Sequence, residues 1–146
     1  MPRPEPHKLD PARYPFSTQV DVRFSDMDLN RHVNNVSLSN FVEEGRVRFH
    51  RASGFHAAMT EAGTGAMVAS LAIEYVGQAH YPGKLDIHAG AASVGRTSYN
   101  LELLVSQKGN PVLFARAVMV CVKDGKPHPI PDAFHLAVAN EWGLKS

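Results

Sequence analysis

Val20, Val22 and Phe24 alternate with Asp21 and Arg23, the period-two pattern of a strand with one buried face. Past a polar stretch ending at Asn35, Leu38, Phe41, Val42, Gly45, Phe49 and Ala52 recur at three- and four-residue steps, which predicts one helix with a single apolar stripe. Glu43, Glu44, Arg46 and Arg48 mostly fall on its other faces, and Gly54 stops it. Gly45 lies on the apolar stripe, where glycine costs about 0.5–1 kcal/mol relative to alanine. Close approach of the helix to a sheet is the compensation this position predicts. Residues 54–65, which include Gly54, Gly63 and Gly65, read as a loop.

From Ala66 onward the period changes from helical to strand-like. Met67–Val76, Leu85–Val94, Ser98–Gln107 and Val112–Lys123 read as strands, divided by turn signals at Tyr81-Pro-Gly83, Gly95-Arg-Thr97 and Lys108-Gly-Asn-Pro111. Strands that follow one another without helices between them imply an antiparallel sheet. The order strand, long helix, further strands predicts an α+β domain in two layers, one long helix packed on an antiparallel β-sheet. Such a sheet has open edges, and a dimer that continues it is a natural remedy. Five of the ten prolines fall in residues 1–15, which predicts an extended or disordered Pro-rich N-terminal arm before a single domain over 16–146. A short amphipathic tail, Asp132–Trp142, follows Pro127, Pro129 and Pro131.

Composition narrows the function classes. The 146 residues suffice for one domain with a real core, and 44% apolar with 20% charged content is ordinary for a globular chain. A net charge of +1 gives no general attraction to nucleic acid or an anionic membrane, so neither is expected as a partner. The lone Cys121 excludes an intrachain disulfide and reads as a buried structural thiol in the run Ala117–Val122. No stretch approaches the ~20 apolar residues a membrane span needs, and Met-Pro-Arg-Pro-Glu-Pro lacks a signal peptide's apolar region, so the expected location is cytoplasmic.

The candidate chemistry lies between the first strand and the helix. Phe24 to Asn35 packs carboxylates, amides and an imidazole beside the unpaired N–H groups of a helix start, a place suited to polarising an oxygen. Asp28 is the leading catalytic candidate, as a general base on water or as a nucleophile on a carbonyl; a turn aspartate satisfying backbone N–H groups is the structural alternative. Asn30 and His32 alternate with it, sharing one side with it if the segment is extended and still able to converge with it if the segment is a turn. Asn30 can donate to a substrate carbonyl or fix a water, and His32 can hold Asp28 or the water. Asn34 and Asn35 read as turn and N-cap residues, with Ser37 as an alternative cap. Asp26 reads as an arginine partner. Glu43 and Glu44 have basic residues three and four positions on, which favours a solvated helix face, although one of them could face a neighbouring subunit's site. No histidine pair has metal-ligand spacing, so no metal or cofactor is expected. A Gly-x-Ser-x-Gly elbow and a phosphate-cradling Gly-rich loop are both missing.

Ser25-Asp-Met-Asp-Leu-Asn-Arg-His-Val-Asn-Asn-Val36 closely resembles the plant acyl-ACP thioesterase motif Asp-x-Asn-x-His-Val-Asn-Asn, and Phe41-Val-Glu-Glu-Gly-Arg46 resembles the Glu-x-Ala-Arg helix of bacterial 4-hydroxybenzoyl-CoA thioesterase-like proteins. Both belong to the hot-dog thioesterase superfamily, whose fold wraps an antiparallel sheet around one long helix. The resemblance spans residues 18 to about 132 and is specific over Asp26–Arg46. It implies an acyl-CoA thioesterase, with hydrolysis of acyl carrier protein thioesters or non-catalytic acyl-CoA binding as the alternatives. It assigns Asp28 as base or nucleophile, with Asn30 and His32 completing the catalytic group of plant-type members. The backbone N–H groups of Val33, Asn34 and Asn35 match the site for the thioester carbonyl, Arg96, Thr97 and Ser98 become candidates for binding CoA, and Glu43 an accessory acid. The superfamily's habit of pairing two hot-dog units implies a homodimer, or a homotetramer built as a dimer of dimers. Leu38 replaces the usual aromatic residue and Gly45 the usual alanine, so substrate preference does not carry over from any one relative. A dehydratase is disfavoured, because no His-x-x-x-Gly-x-Pro segment is present.

Overall fold

The computed structural model describes residues 3–146. It contains strands β1 (Phe16–Asp21), β2 (Gly65–Tyr75), β3 (Lys84–Val94), β4 (Ser98–Gln107), β5 (Asn110–Lys123) and the two-residue β6 (Lys126–Pro127), with helices α1 (Asn35–Ala52), α2 (Phe55–Ala62) and α3 (Asp132–Ala137). The strands form one antiparallel sheet in the order β1-β3-β4-β5-β2, with β6 paired to β5. The chain therefore leaves one edge of the sheet at β1, crosses its face as α1 and returns at the opposite edge as β2. This is the hot-dog fold, and the α+β class with one long helix on an antiparallel sheet is as the pattern predicts.

The core lies between α1 and the inner face of the sheet. Leu38, Phe41, Val42 and Phe49 of α1 are buried against Ile87, Ala89, Leu101, Leu103 and Ala115. Gly45 explains why that stripe carries a glycine. A Cβ there would stand 2.5 Å from Ile87 Cγ2 and 3.3 Å from Leu103 Cδ2, so the helix axis approaches the sheet closer than any side chain permits.

Three local expectations change. The first strand runs Phe16–Asp21 rather than through Phe24, which is 73% exposed. Asp26 causes the early stop: its carboxylate accepts from the Arg23 N–H at 2.8 Å and from the Arg23 guanidinium at 2.9 Å, closing a 3-10 turn over Phe24–Asp26. Residues 54–65, read as a loop, contain α2. Gly54 and Gly63 hold the left-handed conformations, φ 82° and 69°, that bracket this helix, and Phe55 and Met59 form its buried face.

The N-terminal arm is also different from its expected extended or disordered form; its first residues, Met1 and Pro2, lie outside the described residues. Pro6–Leu9 and Pro11–Arg13 are 3-10 turns lying on the outer face of the sheet. The Tyr14 hydroxyl donates to the Lys8 carbonyl at 2.6 Å, the Lys8 ammonium sits 5.5 Å above the Phe114 ring, and Arg13 pairs with buried Glu102 at 2.6 Å. Proline density suits this arrangement, since fixed φ angles lower the entropy lost when a short segment is ordered.

The inner face is not covered evenly. Helix α1 packs chiefly on β1, β3 and β4, and β2 is met by the shorter α2. Leu71 and Tyr75 register with buried Ala117 and Leu113, so they point to the helix side, yet they remain 40% and 43% exposed. The backbone edge of β2 away from β5 is unpaired among the described residues.

Candidate active site

The polar cluster folds into a tight loop that delivers the chain to α1. Met27 and Val33 form an isolated antiparallel bridge, the Asp28 N–H donates to the His32 carbonyl at 3.1 Å, and the Arg31 N–H donates to the Asp28 carbonyl at 3.0 Å. Arg31 takes the left-handed φ of 63° that the reversal requires. The Asp28 Oδ1 accepts from the Asn30 N–H at 2.9 Å, so part of the turn reading is realised. That bond engages one carboxylate oxygen, and an ionised carboxylate has several further lone-pair positions for a ligand or water.

Asn34 is the cap of α1. Its Oδ1 accepts from the Val36 N–H at 2.7 Å, which leaves Asn35 as the first helical residue. Although a turn rather than an extended segment, the loop sends Asp28, Asn30 and His32 into one cavity of about 310 Å³ at the N-terminus of α1. Leu38 supplies an apolar wall there, and Gly77 and Gln78, just past β2, close the far side.

The three predicted backbone donors are not equivalent. The Val33 N–H donates to the Ala79 carbonyl at 2.8 Å, and the Asn34 N–H donates to the Asp26 carbonyl at 2.7 Å. Both are already engaged, which corrects the expectation for those two groups. The Asn35 N–H has no partner among the described residues, as the first turn of a helix dictates. It lies at the positive end of an eighteen-residue helix, where a developing negative oxygen is favoured.

Asp26 is structural. Burial alone would raise its pKa, but the hydrogen bonds from the Arg23 side chain and N–H outweigh that and hold its carboxyl below the usual range.

Sequence reasoning missed the segment after β2. A Cβ at Gly77 would collide with the Pro111 carbonyl oxygen, so the backbone passes β5 at a distance only glycine allows. The His80 ring packs edge-on against His32, centroids 5.2 Å apart. The only local signal for this wall is Gly77-Gln78 directly after an apolar strand; the contact with the Asp28 loop is long-range.

The remaining predicted residues lie elsewhere within the chain. Glu43 is exposed and pairs with Arg46 at 3.1 Å on α1, as Glu44 does with Arg48, so it does not line the Asp28 cavity. Arg96, Thr97 and Ser98 form the β3–β4 turn, tied down by the Ile130 and Cys121 N–H groups at 2.8 Å each. That turn lies at the end of the sheet opposite Gly77 and Lys84, with the eleven residues of β3 between, so a single chain does not bring it to Asp28.

The fold is that of a known group. Residues 22–138 match the family described as the thioesterase-like superfamily, and the chain belongs to it. The protein YsmA of Bacillus subtilis (strain 168), itself uncharacterized, is 30% identical over 110 residues, covering 75% of this chain and 74% of its own. A thioesterase from Thermus thermophilus, crystallised with coenzyme A and zinc, superposes with a TM-score of 0.76 at 27% identity, covering 86% of this chain and 92% of its own. A 1,4-dihydroxy-2-naphthoyl-CoA thioesterase from Synechocystis shares the fold, with a TM-score of 0.74 at 15% identity over 86% of this chain and 96% of its own.

Proposed function

We propose that the protein is an acyl-CoA thioesterase acting at the cavity shared by Asp28, Asn30 and His32. Membership of the thioesterase-like superfamily supports thioester hydrolysis, and the coenzyme A bound to the Thermus relative supports CoA as the thiol. The observation that carries the reading is the convergence of those three side chains on the start of α1, beside the unpaired Asn35 N–H.

In this reading the thioester carbonyl accepts from the Asn35 N–H, at the positive end of α1. Asp28 removes a proton from water as its oxygen bonds to the carbonyl carbon. The tetrahedral intermediate then collapses with cleavage of the C–S bond, and Asp28 returns the proton to the departing sulfur. Asn30 and His32 hold the water and the carboxylate. Direct attack by Asp28 would instead form a mixed anhydride that water opens. Rapid-quench mass spectrometry of the enzyme in a single turnover separates the two, because only the second route carries the acyl group on Asp28.

The proposed assembly is a homodimer through β2, alone or doubled into a tetramer. The unpaired edge and the half-exposed Leu71 and Tyr75 support a second copy that continues the sheet and covers those two side chains. Antiparallel pairing of β2 with its copy would carry the partner's Arg96–Ser98 turn toward this chain's Asp28, so the CoA contact assigned to that turn, like any acid role for Glu43, would be made between subunits.

The test is thiol release from short, long and aromatic acyl-CoAs, with an acylated carrier protein in parallel. Turnover of CoA esters supports the reading. Turnover of the carrier protein alone moves the substrate to that carrier, and tight acyl-CoA binding without turnover overturns catalysis in favour of a binding protein.

A further inference from the structure

Two imidazoles meet across the wall of the Asp28 cavity. His32 lines that cavity from the loop that carries Asp28. His80 stands behind it, on the irregular segment between β2 and β3, and lines a smaller cavity of about 190 Å³ that it shares with Gln78 and Lys108. The two rings pack edge-on, centroids 5.2 Å apart and planes at 69°. One residue along, the Val33 N–H donates to the Ala79 carbonyl at 2.8 Å. Residues 32–33 and 79–80 therefore run side by side, joined by one backbone bond and one ring contact.

The two partners are not held alike. The His80 backbone is gripped on both sides by the buried Gln107 amide, at 2.9 Å each way. The segment that follows is tied down just past the end of β1, where the Val22 N–H donates to the Gly83 carbonyl at 2.9 Å. The His32 ring has no such anchor. The Asp28 carboxylate accepts from the Asn30 N–H rather than from His32, and the torsion that turns an imidazole about its own axis is broad. Packing therefore sets the plane of His32, and an aromatic pair favours the edge-on arrangement that His80 imposes. The plane matters because an imidazole acts through two nitrogens at fixed places on the ring, and the two are chemically distinct.

We infer that His80 is a positioning residue for the hydrolysis proposed at Asp28: its ring fixes the plane of His32 and so turns a His32 nitrogen toward the carboxylate and its water. The inference rests on the thioesterase reading of that cavity. In this role His80 touches neither substrate nor Asp28 and moves no proton. What it supplies is a flat ring at a fixed place, which phenylalanine can also supply and alanine cannot. His80 is exposed, so shortening its side chain removes the contact without opening the core.

The experiment follows thiol release from the best acyl-CoA, together with the His32 ring signals in NMR spectra, for wild type, His80→Ala and His80→Phe. His80→Ala should lower kcat about tenfold or more, the cost of a misplaced group, with KM and the melting temperature unchanged. His80→Phe should return kcat to within about threefold of wild type. The His32 ring signals should move in His80→Ala, which takes away the neighbouring ring. In a His32→Ala background, His80→Ala should change kcat no further, because a residue that acts through another has no effect once that one is gone. Wild-type kcat in His80→Ala, an undiminished loss in the His32→Ala background, or a phenylalanine variant as impaired as the alanine one would each overturn the inference. If wild type releases thiol from no ester, the thioesterase reading falls separately, and the ring signals still decide. His32 signals that move in His80→Ala then support His80 as the group that orients the ring, and signals that stay overturn it.

Discussion

The side-chain amide of Gln107 holds both backbone groups of His80: its Oε1 accepts from the His80 N–H and its Nε2 donates to the His80 carbonyl, each at 2.9 Å. Gln107 ends β4 and is buried, whereas His80 belongs to the irregular segment behind the Asp28 cavity. The neighbouring Ala79 carbonyl receives the Val33 N–H. One amide thus fixes the wall of the proposed site and, through it, the start of α1. Gln107→Leu should cost about 1–2 kcal/mol in urea denaturation, since two backbone groups lose their partner. It should also lower kcat for thiol release. Gln107→Glu keeps the acceptor but sets a second oxygen against the His80 carbonyl in a buried position, so it should cost at least as much. A leucine variant with wild-type stability and turnover would refute the role.

Gly45→Ala should destabilise the protein although alanine is the better helix former by about 1 kcal/mol. The new methyl would meet Ile87 Cγ2 at 2.5 Å, and overpacking of this kind costs about 1–3 kcal/mol. Ile87→Leu removes that branch at Cβ. The double variant should therefore be more stable than the sum of the single effects, a coupling that denaturation of all four proteins measures.

Arg13 and Glu102 test the ordered arm. The Glu102 carboxylate is 8% exposed; without Arg13 its nearest cation is the Arg116 Nε at 4.0 Å. Arg13→Ala should cost about 3 kcal/mol, the penalty of stranding a buried charge. Adding Glu102→Gln should recover part of it. If the arm is immaterial to stability, the first substitution will be silent.

His50 gives stability a pH dependence. Its folded pKa is depressed, to about 3 from 6.5, so the unfolded chain takes up a proton before the folded one does. The stabilisation is complete above about pH 6.5 and is lost as pH falls from there toward 3, at up to about 1.4 kcal/mol per unit. Asp26, with its lowered pKa, loses its contribution only in more acid solution, below the ordinary carboxylate range. Urea midpoints between pH 7 and 5 should therefore drop in the wild type and drop less in His50→Gln. Equal slopes would refute a buried neutral His50.

The long elements were legible because their burial is periodic: Leu38 to Phe49 mark α1 and the alternation within 84–94 marks β3, each independent of its partners. Helix α2 was not, because Gly54 and Gly63 read as loop residues when they are its caps. The arm escaped notice because its contacts, Arg13 to Glu102 and Lys8 to Phe114, are far apart in sequence. At the site, the grouping of Asp28, Asn30 and His32 followed from one short motif. That the Val33 and Asn34 amides are engaged depends on Ala79 and Asp26, and nothing local reveals it. Gln107 and His80 escaped for the same reason.

The role proposed for Asp28 is measured most directly by comparing Asp28→Asn with wild type in thiol release from the best acyl-CoA. Asparagine can keep the hydrogen bond from the Asn30 N–H but cannot take up a proton or attack as an anion. In that variant kcat should fall about a hundredfold or more, with the fold intact and KM little changed. Turnover within a few-fold of wild type would contradict it.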